Sequence, residues 1–473
     1  MPAFEAFLPR NLSVTVRPYA RAMVATRRTF IKSGSLFLAA TGSLAEVILS
    51  ARPAHARSRC GPRSHTGYGE LVADPAGLID LPAGFSYRVF STSGEVLSDG
   101  HPVPSSHDGM AAFPAGRRGT FLVRNHELNP DDVLEDSLVP LATVPDATYD
   151  PAGVGGTTTL LVSPRRELIH HKISLAGTLD NCAGGPSPWR TWLTCEETLE
   201  VIEKPHGYVF EVDPLRGGNP EPIISMGRFE HEAVSFDRGG RAYLTEDADT
   251  PLGCIYRFTP QRPLEGRGSL HAGGALEALI VVGATPDLSV VTEPGTKLRV
   301  RWVPVPNPNP LGDDTSVREQ VIALGATPIK KAEGTWTDHE GHIWFVSSYG
   351  GGPSAEDPGD VTAVAHAGQI FRYDPRAEVI ELVAFFAPGA PYDGPDNITA
   401  GPHGFAVACT DGEDDQYLVG ISEQGDVFPF AHNAATDDEF AGATFSPDGD
   451  TLFVNIQGDP AFTIAIWGPW RDR

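Results

Sequence analysis

The chain has 473 residues, of which 41% are hydrophobic, 51 are glycine and 42 are proline; this is ample for a core, and the balance excludes disorder along most of the chain and a multi-span membrane protein. With 36 Lys and Arg against 61 Asp and Glu, the net charge of −25 disfavours nucleic acid and acidic membrane surfaces as partners and leaves carboxylates for hard cations. So many turn formers beside short Val, Ile, Phe, Tyr and Trp runs point to an all-β protein.

Near the start, Thr26-Arg27-Arg28-Thr29-Phe30-Ile31-Lys32 precedes the apolar stretch Leu36-Phe37-Leu38-Ala39-Ala40. This pattern resembles a twin-arginine export signal. The apolar part is too short, and too interrupted by Glu46, for a stable membrane span, and Ala54-His55-Ala56 supplies a small-x-small cleavage site. The expectation is a signal peptide over residues 1–56, handled by the twin-arginine export machinery, and a mature domain over 57–473 that is periplasmic or extracellular. The cysteines, Cys60, Cys182, Cys195, Cys254 and Cys409, are odd in number and lack a CxxC pair, so at least one thiol is left over.

From there the chain reads as a repeat. Short β-type runs ending in polar residues recur at Phe121–Glu127, Trp192–Glu197, Tyr243–Asp247, Ile343–Ser348, Ala406–Asp411 and Leu452–Gln457. An aromatic strand of the form Gly-x-apolar-aromatic-x-apolar-x-Pro follows several of them, at Gly207–Pro214, Gly253–Pro260 and Gly368–Pro375, with a weaker copy at Gly425–Phe430. The repetition predicts a six-bladed β-propeller, with residues 261–330 as an excursion or appended hairpin. A jelly roll or sandwich would also give many strands but not blade-like units.

Within the repeats a fixed offset recurs. Glu232 precedes Glu246 by 14 positions, as Glu333 does Ser347, Cys182 does Glu196, and Asn397 does Asp411. Each pair brackets a hairpin, so both members lie at one end of their sheet. In a propeller those ends converge on one mouth of the central channel. The pattern gathers Glu127, Cys182, Glu196 or Glu197, Glu232, Glu246 or Asp247, Glu333, Asp396, Asn397 and Asp411 there. So many carboxylates crowded together need cations to offset repulsion and lost hydration. Oxygen donors suit calcium, whereas a Cys182 thiolate suits iron or zinc, which implies a mixed cluster. Strand alternation turns Cys195 into the core; Cys254 and Cys409 read as structural, and His231 as a packing or supporting residue. No GxSxG elbow, P-loop, HExxH helix or Rossmann fingerprint occurs.

Asn181-Cys182-Ala183-Gly184-Gly185 through Glu196-Glu197, Gly227-Arg228-Phe229 with His231-Glu232-Ala233, Pro395-Asp396-Asn397, and Phe445-Ser446-Pro447-Asp448-Gly449 through Gly468-Pro469-Trp470 resemble the PhoX-type exported alkaline phosphatases. The resemblance implies a six-bladed propeller that holds iron and calcium at one mouth and hydrolyses phosphate monoesters, small-molecule substrates, outside the cytoplasmic membrane. It implies Cys182 as the iron-binding thiolate and Glu127, Glu197, Glu232, Glu333, Asp396 and Asn397 as metal ligands. Glu246, Asp247 and Asp411 rest on the repeat register. The family's Arg-Pro-Glu run is replaced by Lys331-Ala332-Glu333, which keeps the carboxylate and leaves Lys331 as the phosphate contact, a point charge without the two-pronged guanidinium. Two alternatives stay open: a metal-dependent sugar-lactone hydrolase, and a non-catalytic secreted propeller stapled by calcium.

Overall fold

A computed structural model describes residues 67–248, 252–283, 285–350, 364–412 and 415–470. The arginine pair, the cleavage site and Cys60 lie outside the described residues. Among those described, no helix is long and apolar enough to cross a membrane.

The fold is all-β and propeller-like. It opens with β1 (Leu71–Val72), β2 (Ile79–Pro82) and β3 (Ser86–Phe90). A first up-and-down sheet follows in chain order: β4 (His107–Pro114), β5 (Thr120–His126), β6 (Gly155–Val162) and β7 (Leu168–Thr178), with helix α1 (Pro130–Glu135) between β5 and β6. A second comprises β8 (Gly184–Pro186), β9 (Trp192–Cys195), β10 (Val209–Asp213) and β11 (Gly217–Gly218). The third run is β12 (His231–Phe236), β13 (Ala242–Glu246), β14 (Ile255–Pro260) and β15 (Gly274–Val281), followed by β16 (Lys297–Pro304) and helix α2 (Val317–Ile322). The fourth is β17 (Ala332–Thr337), β18 (Ile343–Ser347), β19 (Gly368–Asp374) and β20 (Val379–Phe386). Then come β21 (Pro395–Ala400), β22 (Phe405–Thr410), β23 (Tyr417–Ser422) and β24 (Val427–Asn433), and finally β25 (Phe440–Phe445), β26 (Leu452–Ile456) and β27 (Phe462–Trp467).

The sheets do not separate into six. β16 pairs with β15 on one side and β20 on the other, fusing the third and fourth runs into one nine-stranded sheet. Residues 261–330 therefore supply an outer strand, a bridging strand and α2. At the other end of the sequence β2 pairs with β24 and β3 with β27, so early strands complete the last two sheets. Tyr68 packs its ring edge-on against Phe85, Phe405, Phe430 and Trp470, fastening that closure. Arg124 of β5 is buried where the first sheet meets the last, donating to Thr463 Oγ1 of β27 at 2.7 Å and to Thr158 Oγ1 of β6 at 3.2 Å.

The first strands β4, β8, β12, β17, β21 and β25 touch one another in a closed circle. In five of them the register with the second strand breaks: between His107 and Met110, His231 and Val234, Ala332 and Thr335, Pro395 and Ile398, and Ala441 and Thr444. Such bulges re-aim side chains. The residues inside the breaks are Asp108-Gly109, Glu232-Ala233, Glu333-Gly334, Asp396-Asn397 and Gly442-Ala443, and Cys182-Ala183 stands at the equivalent point before β8. Where one of the two is glycine, it is needed because neighbouring strands touch backbone to backbone. A Cβ on Gly109 would lie 2.5 Å from Ala183 Cα, and one on Gly334 2.8 Å from Asp396 O.

Candidate metal centre

The acids carried by the breaks meet one another. Ligand atoms of Cys182, Glu197 and Glu232 lie within 4.8 Å of each other, as do those of Glu232, Glu333 and Asp396, and those of Asp396, Asp411 and Glu439. Glu232 belongs to two triads and Asp396 to two, so the three form a continuous run of donors. Beside it Met110, Trp192, Trp336, Asn397 and Ile398 line a cavity of about 20 Å³, room for about one water.

Several donors are placed by hydrogen bonds. Cys182 O accepts from Gly109 N at 2.8 Å and from Asn125 Nδ2 at 3.1 Å, and the thiol donates to His231 O at 3.3 Å. Burial pushes the Cys182 thiol well up, and the carboxylates of Glu232 and Glu197 push it further. A thiol so placed becomes a ligand when a cation displaces its proton. Of the pair Glu196 and Glu197, it is Glu197 that enters a triad. Glu196 is buried and turned into its own loop, where its carboxylate accepts from Leu179, Gly207 and Tyr208 N, and His206 Nδ1 lies 2.6 Å away. Glu333 Oε1 accepts from Ser348 Oγ at 2.6 Å, and Asn397 Oδ1 from Gly442 N at 2.5 Å. Asn397 Nδ2 lies 3.4 Å from Asp396 Oδ1, which puts the amide beside the shared carboxylate.

Other residues singled out by the sequence have different partners. Glu127 Oε2 accepts from Gln457 Nε2. Glu246 is buried and turned outward, accepting from Tyr256 Oη at 2.5 Å, Cys254 N at 3.2 Å and Arg318 Nη1 at 3.1 Å. Asp247 Oδ2 lies 2.6 Å from Lys331 Nζ, which is 3.7 Å from Glu333 Oε1. His231 stacks on Phe229 at 3.6 Å between centroids and donates from Nε2 to Gly227 O; burial holds its pKa down to about 3. Cys195, Cys254 and Cys409 are buried in the apolar clusters, where burial pushes their thiols up.

Sequence reading missed Asp108 and Glu439. Asp108-Gly109 is the same acid-plus-small pair as Glu333-Gly334, but the β4–β5 turn holds an extra 3₁₀ turn at Gly116–Arg118, so a fixed offset of 14 passes over it. Glu439 precedes β25, outside the polar-ended runs and the offset of 14 that marked the other acids.

A donor set of clustered carboxylates, one amide and one buried thiol has the chemistry and spacing for metal ions. A gluconolactonase from Xanthomonas campestris shares 10% identity, covering 86% of this chain and all of its own, at a TM-score of 0.42. Pseudomonas fluorescens PhoX, solved with vanadate as a transition-state analogue, shares 17% identity over 83% of this chain and 96% of its own, at a TM-score of 0.63. No curated protein sequence matches the chain. The sequence profile described as Alkaline phosphatase PhoX matches residues 66–173 and 165–459, and with most of its length so matched, the chain belongs to the PhoX alkaline phosphatase family.

Proposed function

We propose that this protein is an exported, metal-dependent phosphomonoesterase built as a six-bladed propeller, with β16 bridging two blades and the closed circle of first strands lining the axis. The observation that carries the proposal is the continuous run of three donor triads, with the Lys331 ammonium at its edge. Cys182, Glu197 and Glu232 would hold the softer ion, for which iron is the candidate. Glu232, Glu333, Asp396, Asn397, Asp411 and Glu439 present oxygen alone and suit calcium. When bound, such cations supply Lewis-acid polarisation of the phosphoryl group and offset its negative charge. Lys331 donates to a phosphoryl oxygen at the rim. No side-chain nucleophile is called on; water attacks phosphorus and the alcohol departs.

The test is phosphate release from a chromogenic monoester by metal-loaded protein, with elemental analysis of the same sample. Expected are stoichiometric iron that is lost in Cys182→Ser, calcium whose chelation abolishes turnover, and inhibition by vanadate. Unchanged turnover after complete calcium removal, or full metal loading with no ester hydrolysis, overturns the reading.

A further inference from the structure

The third sheet ends at the mouth in three acids, Glu230, Glu246 and Asp247, and each of them meets a basic side chain. Arg318, delivered by α2, donates from Nη1 to Glu230 Oε2 at 2.5 Å and to Glu246 Oε1 at 3.1 Å. Ser316 and Glu319 cap α2 reciprocally and fix its start, which sets where Arg318 emerges. Asp247 N is tied to Glu230 O at 3.2 Å, joining the arginine-bound and lysine-bound acids into one rim.

Lys331 is the lysine of this rim, and its backbone is unusual. Its φ is +42°, a left-handed conformation that residues with a Cβ adopt only when their surroundings demand it. Its carbonyl accepts from Ser348 N at 3.1 Å, and its side chain is mostly buried between Asp247, at 2.6 Å, and Glu333, at 3.7 Å. Glu333 is one of the clustered donors. A cation bound by Glu333 would repel the ammonium, and Asp247, at 2.6 Å, is the nearer of these two carboxylates that would keep Lys331 at the edge of the cluster.

We infer that Asp247 is a positioning residue for Lys331, holding its ammonium toward the phosphoryl group, and does not ligate metal. The inference rests on the proposed phosphate contact of Lys331 and adds the group that orients it. It also explains how a flexible lysine can serve where a planar guanidinium is lacking: its freedom is removed by a short ion pair inside a mostly buried rim.

The experiment compares Asp247→Asn, Asp247→Glu, Lys331→Met and the double variant Asp247→Asn/Lys331→Met, each checked for native circular dichroism. Metal content is read by elemental analysis, inorganic phosphate affinity by calorimetry, and KM and kcat with a chromogenic monoester. Expected for Asp247→Asn are wild-type metal content, phosphate binding weakened about tenfold, and a higher KM. Asp247→Glu restores part of the affinity, and the double variant binds phosphate no more weakly than Lys331→Met, because the two residues act as one unit. Loss of a metal equivalent in Asp247→Asn, or a double variant weaker than Lys331→Met, overturns the inference. Weakened binding in Lys331→Met with unchanged binding in Asp247→Asn overturns the positioning alone. Unchanged binding in Lys331→Met overturns the phosphate contact as well.

Discussion

Glu230 and Glu232 lie two positions apart in Glu230-His231-Glu232, and simple strand alternation would put them on one face with His231 on the other. Their surroundings differ completely. Glu230 stops short of β12 and meets Arg318, whereas Glu232 falls inside the register break and joins two donor triads. His231 between them stacks its ring on Phe229 and offers only its carbonyl to the cluster, to the Cys182 thiol. A single bulge thus divides one acidic segment into a part neutralised by the protein's own cations and a part suited to foreign ones.

The sharpest way to break this division is Glu232→Gln. Because Glu232 serves two triads, metal content should fall and hydrolysis should drop by more than the ~10–100-fold typical of residues that only support ligands; retained metal would place Glu232 with Glu230 instead. Next in size is Arg318→Met. It strips the buried Glu246 and the half-buried Glu230 of their cation, and urea unfolding of metal-loaded protein should show a loss of about 3–5 kcal/mol with metal content unchanged. Metal uptake by the freed acids would blur the boundary.

The smallest effect concerns pH. His231 binds its proton in the folded state only at about pH 3, against about 6.5 unfolded. Between these values the unfolded chain holds the extra proton, so its contribution to stability is complete above pH 6.5 and falls by up to about 1.4 kcal/mol per pH unit as pH drops toward 3. Urea midpoints from pH 4 to 6.5 should be steeper in pH for the native chain than for His231→Gln. Equal slopes would mean that burial leaves the imidazole's proton affinity unchanged on folding.

Much of the architecture was legible before any coordinates. Turn residues such as Asp237 and Asp338 mark hairpins because each carboxylate binds the backbone of the turn that follows, as with Gly239 N and Arg241 N on Asp237. The acid-plus-small pairs Asp108-Gly109 and Glu333-Gly334 were not legible, because only the folded strands show that a side chain at the glycine would meet a neighbouring backbone. The fused nine-stranded sheet was not legible, because nothing in the composition of β16 says which two edges it will pair.

The linear order of residues by itself determined the strands, the hairpins and the end of each sheet at which acids gather, because periodicity and turn chemistry act over a few residues. Only the tertiary structure decided which acids meet other acids and which meet Arg318 or Lys331. That choice depends on bulges that rotate individual side chains and on α2, whose arginine crosses to the mouth from residues far away in sequence, and no local pattern encodes a distance between them.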